Sequence, residues 1–383
     1  MADYLRFVKA LSVDIGPRGS TTAAEKKAAD YVAQEMRRWA DEVRVEGFRS
    51  FTSFSWPYGL LYLLSAVGGL LNWYNPGPAL AVSALAALLF LKQVNGTWSI
   101  GFLFPQRDSQ NVVGIIRPTG EATSRVVITA HHDSSKSAIL FAPNLVAGFR
   151  RSFLLMAGSI FVLPAVAVLG MLVPDRAFPK YLALPFAAYL IISFLFIVHR
   201  ELFGRYTPGA NDNASGVAVM LGLGERFGGR PPASTEIWLV STGCEEVGMV
   251  GMIEFLKAHG SDFKDALFIN LDNVGAGQAK WTTAEGMLTL YHCDQRLVEL
   301  AEKISRRHPE WGMTGVTNTI MSTDLGPILA RGFRGISVRS EDENRLLPNW
   351  HWHTDTYDNV DPWTLEIVGE FVSEMIGIID AGE

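Results

Sequence analysis

Apolar and polar positions divide the chain into two kinds of territory. Residues 153–173 and 181–198 are apolar runs with no charged side chain inside them. Both are near the ~20 residues that a bilayer-crossing helix needs. A shorter apolar pair precedes them, 57–73 and 79–91, joined by a turn through Asn75-Pro76-Gly77-Pro78. Its second arm has the length of a re-entrant or buried helix. Trp56, Trp73, Tyr74 and Trp98 lie at the arm ends, where interfacial aromatics belong. A soluble cap would show a polar face on such helices.

The rest of the chain alternates strand and helix patterns. Strands are expected over 43–48, 111–116, 126–130, 236–241, 266–271, 288–292 and 335–338. Helices are expected over 22–39, 215–227, 247–259, 294–307 and 362–379. Thr22-x-x-Glu25 reads as a capping box for the first of these. Its core face would carry Ala28, Tyr31, Val32 and Met36. The alternation predicts an α/β fold, a mostly parallel mixed sheet with helices on both faces. Two apolar α-helical hairpins are inserted into it. The expected division is one domain from residues 1–56, 99–149 and 202–383, a first hairpin over 57–98 and a second, transmembrane hairpin over 150–201.

Composition supports that division. The 383 residues are 48% apolar, and the mean hydropathy is +0.16. A net charge of -6 argues against a nucleic-acid partner. Two cysteines, Cys244 and Cys293, make no disulfide framework and read as ordinary thiols. The first residues are charged and lack the apolar core of a signal peptide.

The candidate chemistry sits in five short stretches, each at or just past an expected strand end. They contain His131-His132-Asp133, Asn211-Asp212-Asn213, Glu245-Glu246, Asp272 and Trp350-His351-Trp352-His353-Thr354-Asp355. In open α/β sheets, sites form at the carboxyl ends of strands. Acidic groups converging there repel each other unless a cation compensates. Imidazole and carboxylate donors without thiolates suit catalytic zinc. In a His-x-Asp pair the carboxylate orients the imidazole through its other ring nitrogen. A carboxylate beside an activated water serves as general base. Taken singly, each stretch is more often turn chemistry or a helix start. Their order along the chain is the specific signal.

In that order the residues resemble the co-catalytic zinc peptidases that include bacterial leucyl aminopeptidases, glutamate carboxypeptidase and glutaminyl cyclase. The resemblance covers residues 20–50 and 110–380 outside the hairpins. It implies a peptide substrate and two divalent metal ions, zinc in that family. His131, Asp212 and Asp272 would hold one ion; Asp212, Glu246 and the last histidine the other. Glu245 takes the place of the general base, and Asp133 orients His131. The last histidine is either His351 or His353. His351 is favoured because Asp355 follows it by four positions, as in the family; His353 then falls to the pocket wall. Thr323-Asp324-Leu325 resembles a substrate-side Ser-Asp-His stretch, with Leu replacing the His, so Asp324 is a candidate substrate contact. His132 is expected to be structural, and Cys244 a packed residue.

The resemblance implies a metallo-exopeptidase, an aminopeptidase above all. The alternatives are glutaminyl cyclase-like acyl transfer with a single zinc, or a carboxypeptidase of the same fold. A non-catalytic scaffold would have lost ligands, and none is lost here. Lys92, Arg150, Arg151, Arg200 and Arg205 flank the hairpins on the domain side, with Arg176 and Lys180 in the far loop. That bias predicts a membrane protein whose catalytic domain faces the cytoplasm.

Overall fold

A computed structural model describes residues 3–175 and 177–382. Arg176, one of the far-loop basic residues, lies outside the described residues. The chain divides into two compact units. Unit 1 comprises Met1–Thr52, Gln106–Ser137 and Arg205–Glu383; unit 2 comprises Ser53–Pro105 and Ala138–Gly204.

Unit 1 is a mixed sheet covered by helices. Its elements begin with α1 (Tyr4–Lys9), α2 (Ala23–Met36) and β1 (Glu42–Phe51). The next stretch of unit 1 holds β2 (Gln106–Ile116) and β3 (Ser124–His131). In unit 2, α3 (Ser55–Leu71) and α4 (Pro76–Val94) precede that stretch, and α5 (Phe149–Leu172) and α6 (Ala177–Phe203) follow it. Unit 1 then continues with α7 (Gly216–Gly229), β4 (Thr235–Thr242), α8 (Val250–His259), β5 (Leu267–Leu271), β6 (Gln278–Glu285) and β7 (Tyr291–His292). It closes with α9 (Gln295–Arg307), β8 (Thr314–Asn318), α10 (Leu325–Ala330), β9 (Arg334–Glu341) and α11 (Pro362–Asp380).

The sheet order is β1-β2-β4-β3-β5-β9-β6-β7, with β8 also paired to β6. The centre, β4-β3-β5-β9, is parallel. β1, β2 and β4 run antiparallel to one another in turn, as do β9, β6 and β7. The central strands are buried on both faces, which is why they read as short apolar runs such as Val126-Val127-Ile128. The outer strands differ from expectation. β6 and β8 were not signalled, because Gln278, Lys280 and Thr314 interrupt any apolar alternation. The strand expected over 288–292 shrinks to the two residues of β7.

Unit 2 holds the four apolar helices. α4 begins at Pro76, earlier than the expected 79. Pro76 and Pro78 fall in its first turn, where a missing N–H costs nothing. The Asn75 side chain caps that turn by accepting from the Gly77 amide at 2.9 Å. The supposed turn is therefore part of the helix, and α4 reaches 19 residues. α4, α5 and α6 are each long and apolar enough to cross a membrane; α3, with 17 residues, is shorter. The arm that falls short is thus the first of its hairpin and not the second. Small residues set the helix spacing: a Cβ on Gly68 would meet Ser83 at 2.9 Å, and one on Gly69 would meet Leu163 at 2.7 Å. Close approach at glycine is how apolar helices associate where no water drives them together.

Candidate active site

Strand alternation aims the ligands. Thr129, two residues before His131, donates to Asn270 at 2.8 Å. Asn270 lies two before Asp272, so His131 and Asp272 emerge on one face at the ends of β3 and β5. Asp212 comes from the irregular turn Ala210–Ser215 before α7, Glu245 and Glu246 from the turn after β4. His351 comes from the loop after β9.

These side chains converge. Asp212 Oδ1 lies 3.2 Å from His131 Nε2, and its Oδ2 lies 3.2 Å from His351 Nε2. One carboxylate thus presents one oxygen to each of two imidazoles. His351 Nε2 is also 3.1 Å from Glu246 Oε2. His131 Nε2 is 3.9 Å from Asp272 Oδ1 and 3.9 Å from Glu245 Oε2. Ligand atoms of His131, Asp212 and Asp272 lie within 4.8 Å of one another, as do those of Asp212, Glu246 and His351. His353 is not in this group. It is exposed, with its ring 4.7 Å from Trp352.

The electrostatics reflect four carboxylates and two imidazoles in a dry place. Burial works against the charged form of Asp212, but His131 and His351 outweigh it and hold the carboxyl well below its usual range. Burial likewise disfavours a charged His351, yet Glu246 and Asp212 push it up to about 9. Glu245 is raised well above the usual carboxylate range, mainly by burial. Glu246 is raised for the same reason, and its Oε1 is buried without a hydrogen-bond partner. Unsatisfied buried carboxylate oxygen is costly. A divalent cation fits this donor set, which is all nitrogen and oxygen.

A second layer fixes the ligands. Asp133 lies 3.4 Å from His131 Nδ1 and accepts from the amides of Glu245 and Glu246, each at 3.2 Å. Ser20 donates to it at 2.6 Å. Asp355 accepts from the amides of Asn211 and Asp212 at 2.6 and 3.1 Å. Thr22 caps α2 as expected, its hydroxyl accepting from the Glu25 amide at 3.3 Å. Glu25 does not close the box on Thr22 with its carboxylate, which accepts from the amides of Thr21 and Cys244 at 2.7 and 2.9 Å and from Ser109 at 3.0 Å. Its carboxylate therefore steadies the turn that carries Glu245. Cys244 holds φ at +55° and His351 at +49°. Such non-glycine backbone costs roughly 1–3 kcal/mol each and collects at functional sites.

Arg18 is fully buried and ties the two ligand loops together. It donates to the carbonyls of His132, Pro208 and Gly209 at 2.9, 2.6 and 2.9 Å. Arg18 and Ser20 lie outside any motif, and the capping-box signal at Glu25 does not mark it for this work. Asp324 is buried beside the ligands. Thr242 donates to its Oδ2, its Oδ1 has no partner, and burial pushes its carboxyl up to about 7. His132 bonds Ser241 at 3.0 Å and stays off the cluster.

Residues 195–376 match the family described as Peptidase family M28. That stretch is similar to an M28-type peptidase and takes in Asp212, Glu245, Glu246, Asp272 and His351. Among curated proteins, the chain is similar to the probable lipoprotein aminopeptidase LpqL of Mycobacterium tuberculosis, 29% identical over 197 residues. That match takes in 45% of this chain and 39% of the relative, so the chain spans less than half the relative's length. Among solved structures, it is similar to a zinc aminopeptidase from Bacillus subtilis, with a TM-score of 0.56 and 17% identity over 96% of this chain and 92% of that one. A glutaminyl cyclase from Tannerella forsythia gives 0.57 and 18% over 98% and 97%. At these identities the structures show the fold alone, a mixed α/β sheet like that of the zinc aminopeptidase.

Proposed function

We propose that the protein is an aminopeptidase that removes N-terminal residues from peptides, with two zinc ions held in unit 1. The observation that carries this is Asp212, whose two oxygens face His131 and His351 separately. His131, Asp212 and Asp272 hold one ion; Asp212, Glu246 and His351 hold the other. When bound, such ions lower the pKa of water and polarise the scissile carbonyl. Glu245 takes the water's proton and passes it to the leaving amine. Its burial suits that task, since a raised carboxyl pKa lies nearer the working pH. Asp133 keeps His131 in the orientation that points Nε2 at the site. Asp324 contacts the substrate from the Thr242 side. The exposed position of His353 lends no support to a pocket-wall role.

Glu245→Gln should lower kcat by ~10²–10⁴ on an aminoacyl-anilide panel, with two zinc ions retained by elemental analysis. Undiminished turnover would remove Glu245 from its role. One ion per chain, with cyclisation of an N-terminal glutamine peptide, would replace hydrolysis by acyl transfer.

The same reading makes unit 1 the peptidase domain and unit 2 its membrane anchor, with apolar surface against lipid. Lys92, Arg150, Arg151, Arg200 and Arg205 at the near ends of the arms favour a cytoplasmic peptidase. At the other ends Trp73 packs edge-on to Tyr181 at 5.4 Å, as an interfacial pair would. Protease added to sealed right-side-out vesicles should leave unit 1 intact. Its digestion there would reverse the orientation.

A further inference from the structure

The alternation that brings His131 and Asp272 to one face continues onto β9. Asn270 donates to Ser337 at 3.1 Å, and Arg339 lies two residues beyond Ser337. Arg339 therefore stands on the same face, one strand over from Asp272. The register confirms the level: Leu271 pairs with Val338, and the Asp272 amide donates to the Val338 carbonyl at 3.1 Å. Adjacent strands are about 4.8 Å apart, so the Arg339 backbone is a direct neighbour of a metal ligand.

Its side chain is 1% exposed, yet Nε, Nη1 and Nη2 have no hydrogen-bond partner. A guanidinium carries five N–H donors in a planar fork. Glu341 Oε1 approaches Nη2 at 3.2 Å without hydrogen-bond alignment and touches one edge. Two further carboxylates act on it, Asp272 and Glu285. Asp272 belongs to the ligand cluster and accepts from Asn273 at 2.8 Å. Glu285 is already engaged. It accepts from the Thr323 amide at 2.8 Å, the Thr323 hydroxyl at 2.9 Å and Asn318 at 3.0 Å. Lys280, opposite Arg339 in register, donates to Thr314. So the residues around Arg339 leave most of its fork unanswered. The group that matches a planar fork is a carboxylate, bound in bidentate fashion.

We propose that Arg339 is a specificity residue that receives a carboxylate of the peptide bound at the metal centre. This rests on the hydrolase reading above. The carboxylate has two sources: an acidic side chain on the first residue, or the free C-terminus of a dipeptide. The competing explanation is a purely structural Arg339–Glu341 ion pair.

Zinc-loaded protein is assayed on glutamyl- and glutaminyl-anilides, and on Leu-Gly against its C-terminal amide. A two-point charge-assisted contact predicts about 100-fold preference for the charged member of one pair. Preference in the anilide pair identifies the side chain, and preference in the dipeptide pair the C-terminus. Arg339→Met should abolish that preference, read as a rise in KM for the charged member alone, with zinc content unchanged. Arg339→Lys, which keeps the charge without the fork, should retain an intermediate preference and covers the case in which the Met variant does not fold. No preference in either pair, or a preference that survives Arg339→Lys at full strength, overturns the proposal. If no substrate is turned over, the hydrolase reading fails separately. Calorimetric binding of glutamate against glutamine then decides: equal affinity overturns the role of Arg339, and a glutamate preference reduced in Arg339→Lys upholds it.

Discussion

Unit 1 hides charge, whereas unit 2 displays apolar surface. In the sheet unit, Arg18, Glu25, Asp133, Asp212, Asp272 and Arg339 are all buried, next to strands of Val and Ile. In the helical unit, Leu85, Leu155, Ile192 and Leu195 are each at least half exposed. Each would be a defect in the other's solvent. Buried charge needs partners, and unit 1 supplies backbone amides, hydroxyls and a place for cations. Exposed apolar surface suits a medium without water, and in unit 2 three serine hydroxyls bond back along their own helices. Ser83 donates to Ala79, Ser159 to Leu155 and Ser193 to Tyr189, at 2.7, 2.8 and 2.9 Å. One chain thus builds two interiors by opposite rules, and each unit should fail for a different reason.

The largest test is removal of metal. Ligand bound only by the native state adds about 4 kcal/mol at a thousandfold excess over Kd. A chelator should therefore raise hydrogen exchange in peptides covering His131, Asp212 and Glu245, while α3–α6 keep their protection. Equal loss in both units would dissolve the distinction. A smaller effect should come from Gly69→Leu. Overpacking of this kind costs roughly 1–3 kcal/mol, and the added side chain meets Leu163 inside unit 2. Thermal melting in detergent should fall while zinc content and the Km of any peptide substrate stay put. A change in zinc affinity would show that the two interiors are coupled.

Much of unit 1 was legible because its parallel strands are short apolar runs with the chemistry placed just beyond them. The choice of His351 over His353 rested on the four-position spacing to Asp355 in the resembled family, and the geometry brings His351 to Asp212. What escaped notice has a common cause. Arg18, Ser20 and Glu25 act through contacts more than 100 positions away, and no local periodicity encodes such reach. Arg339 looks like any strand arginine until the register places it beside Asp272. β6 and β8 lie toward one edge of the sheet, where fewer neighbours demand apolar side chains. The start of α4 was misjudged because Asn-Pro-Gly-Pro serves equally as turn and as helix N-terminus.

β3 and β4 are neighbours in the sheet, yet Ser124 and its partner Thr235 are 111 positions apart in the chain. Both helices α5 and α6 are made in between. A ribosome adding ~5–20 residues per second needs roughly 5–20 s to cover that distance. Through that interval β3 lacks both of its sheet neighbours, β4 and β5. The candidate site at the end of β3 is therefore completed only after α5 and α6 have been made.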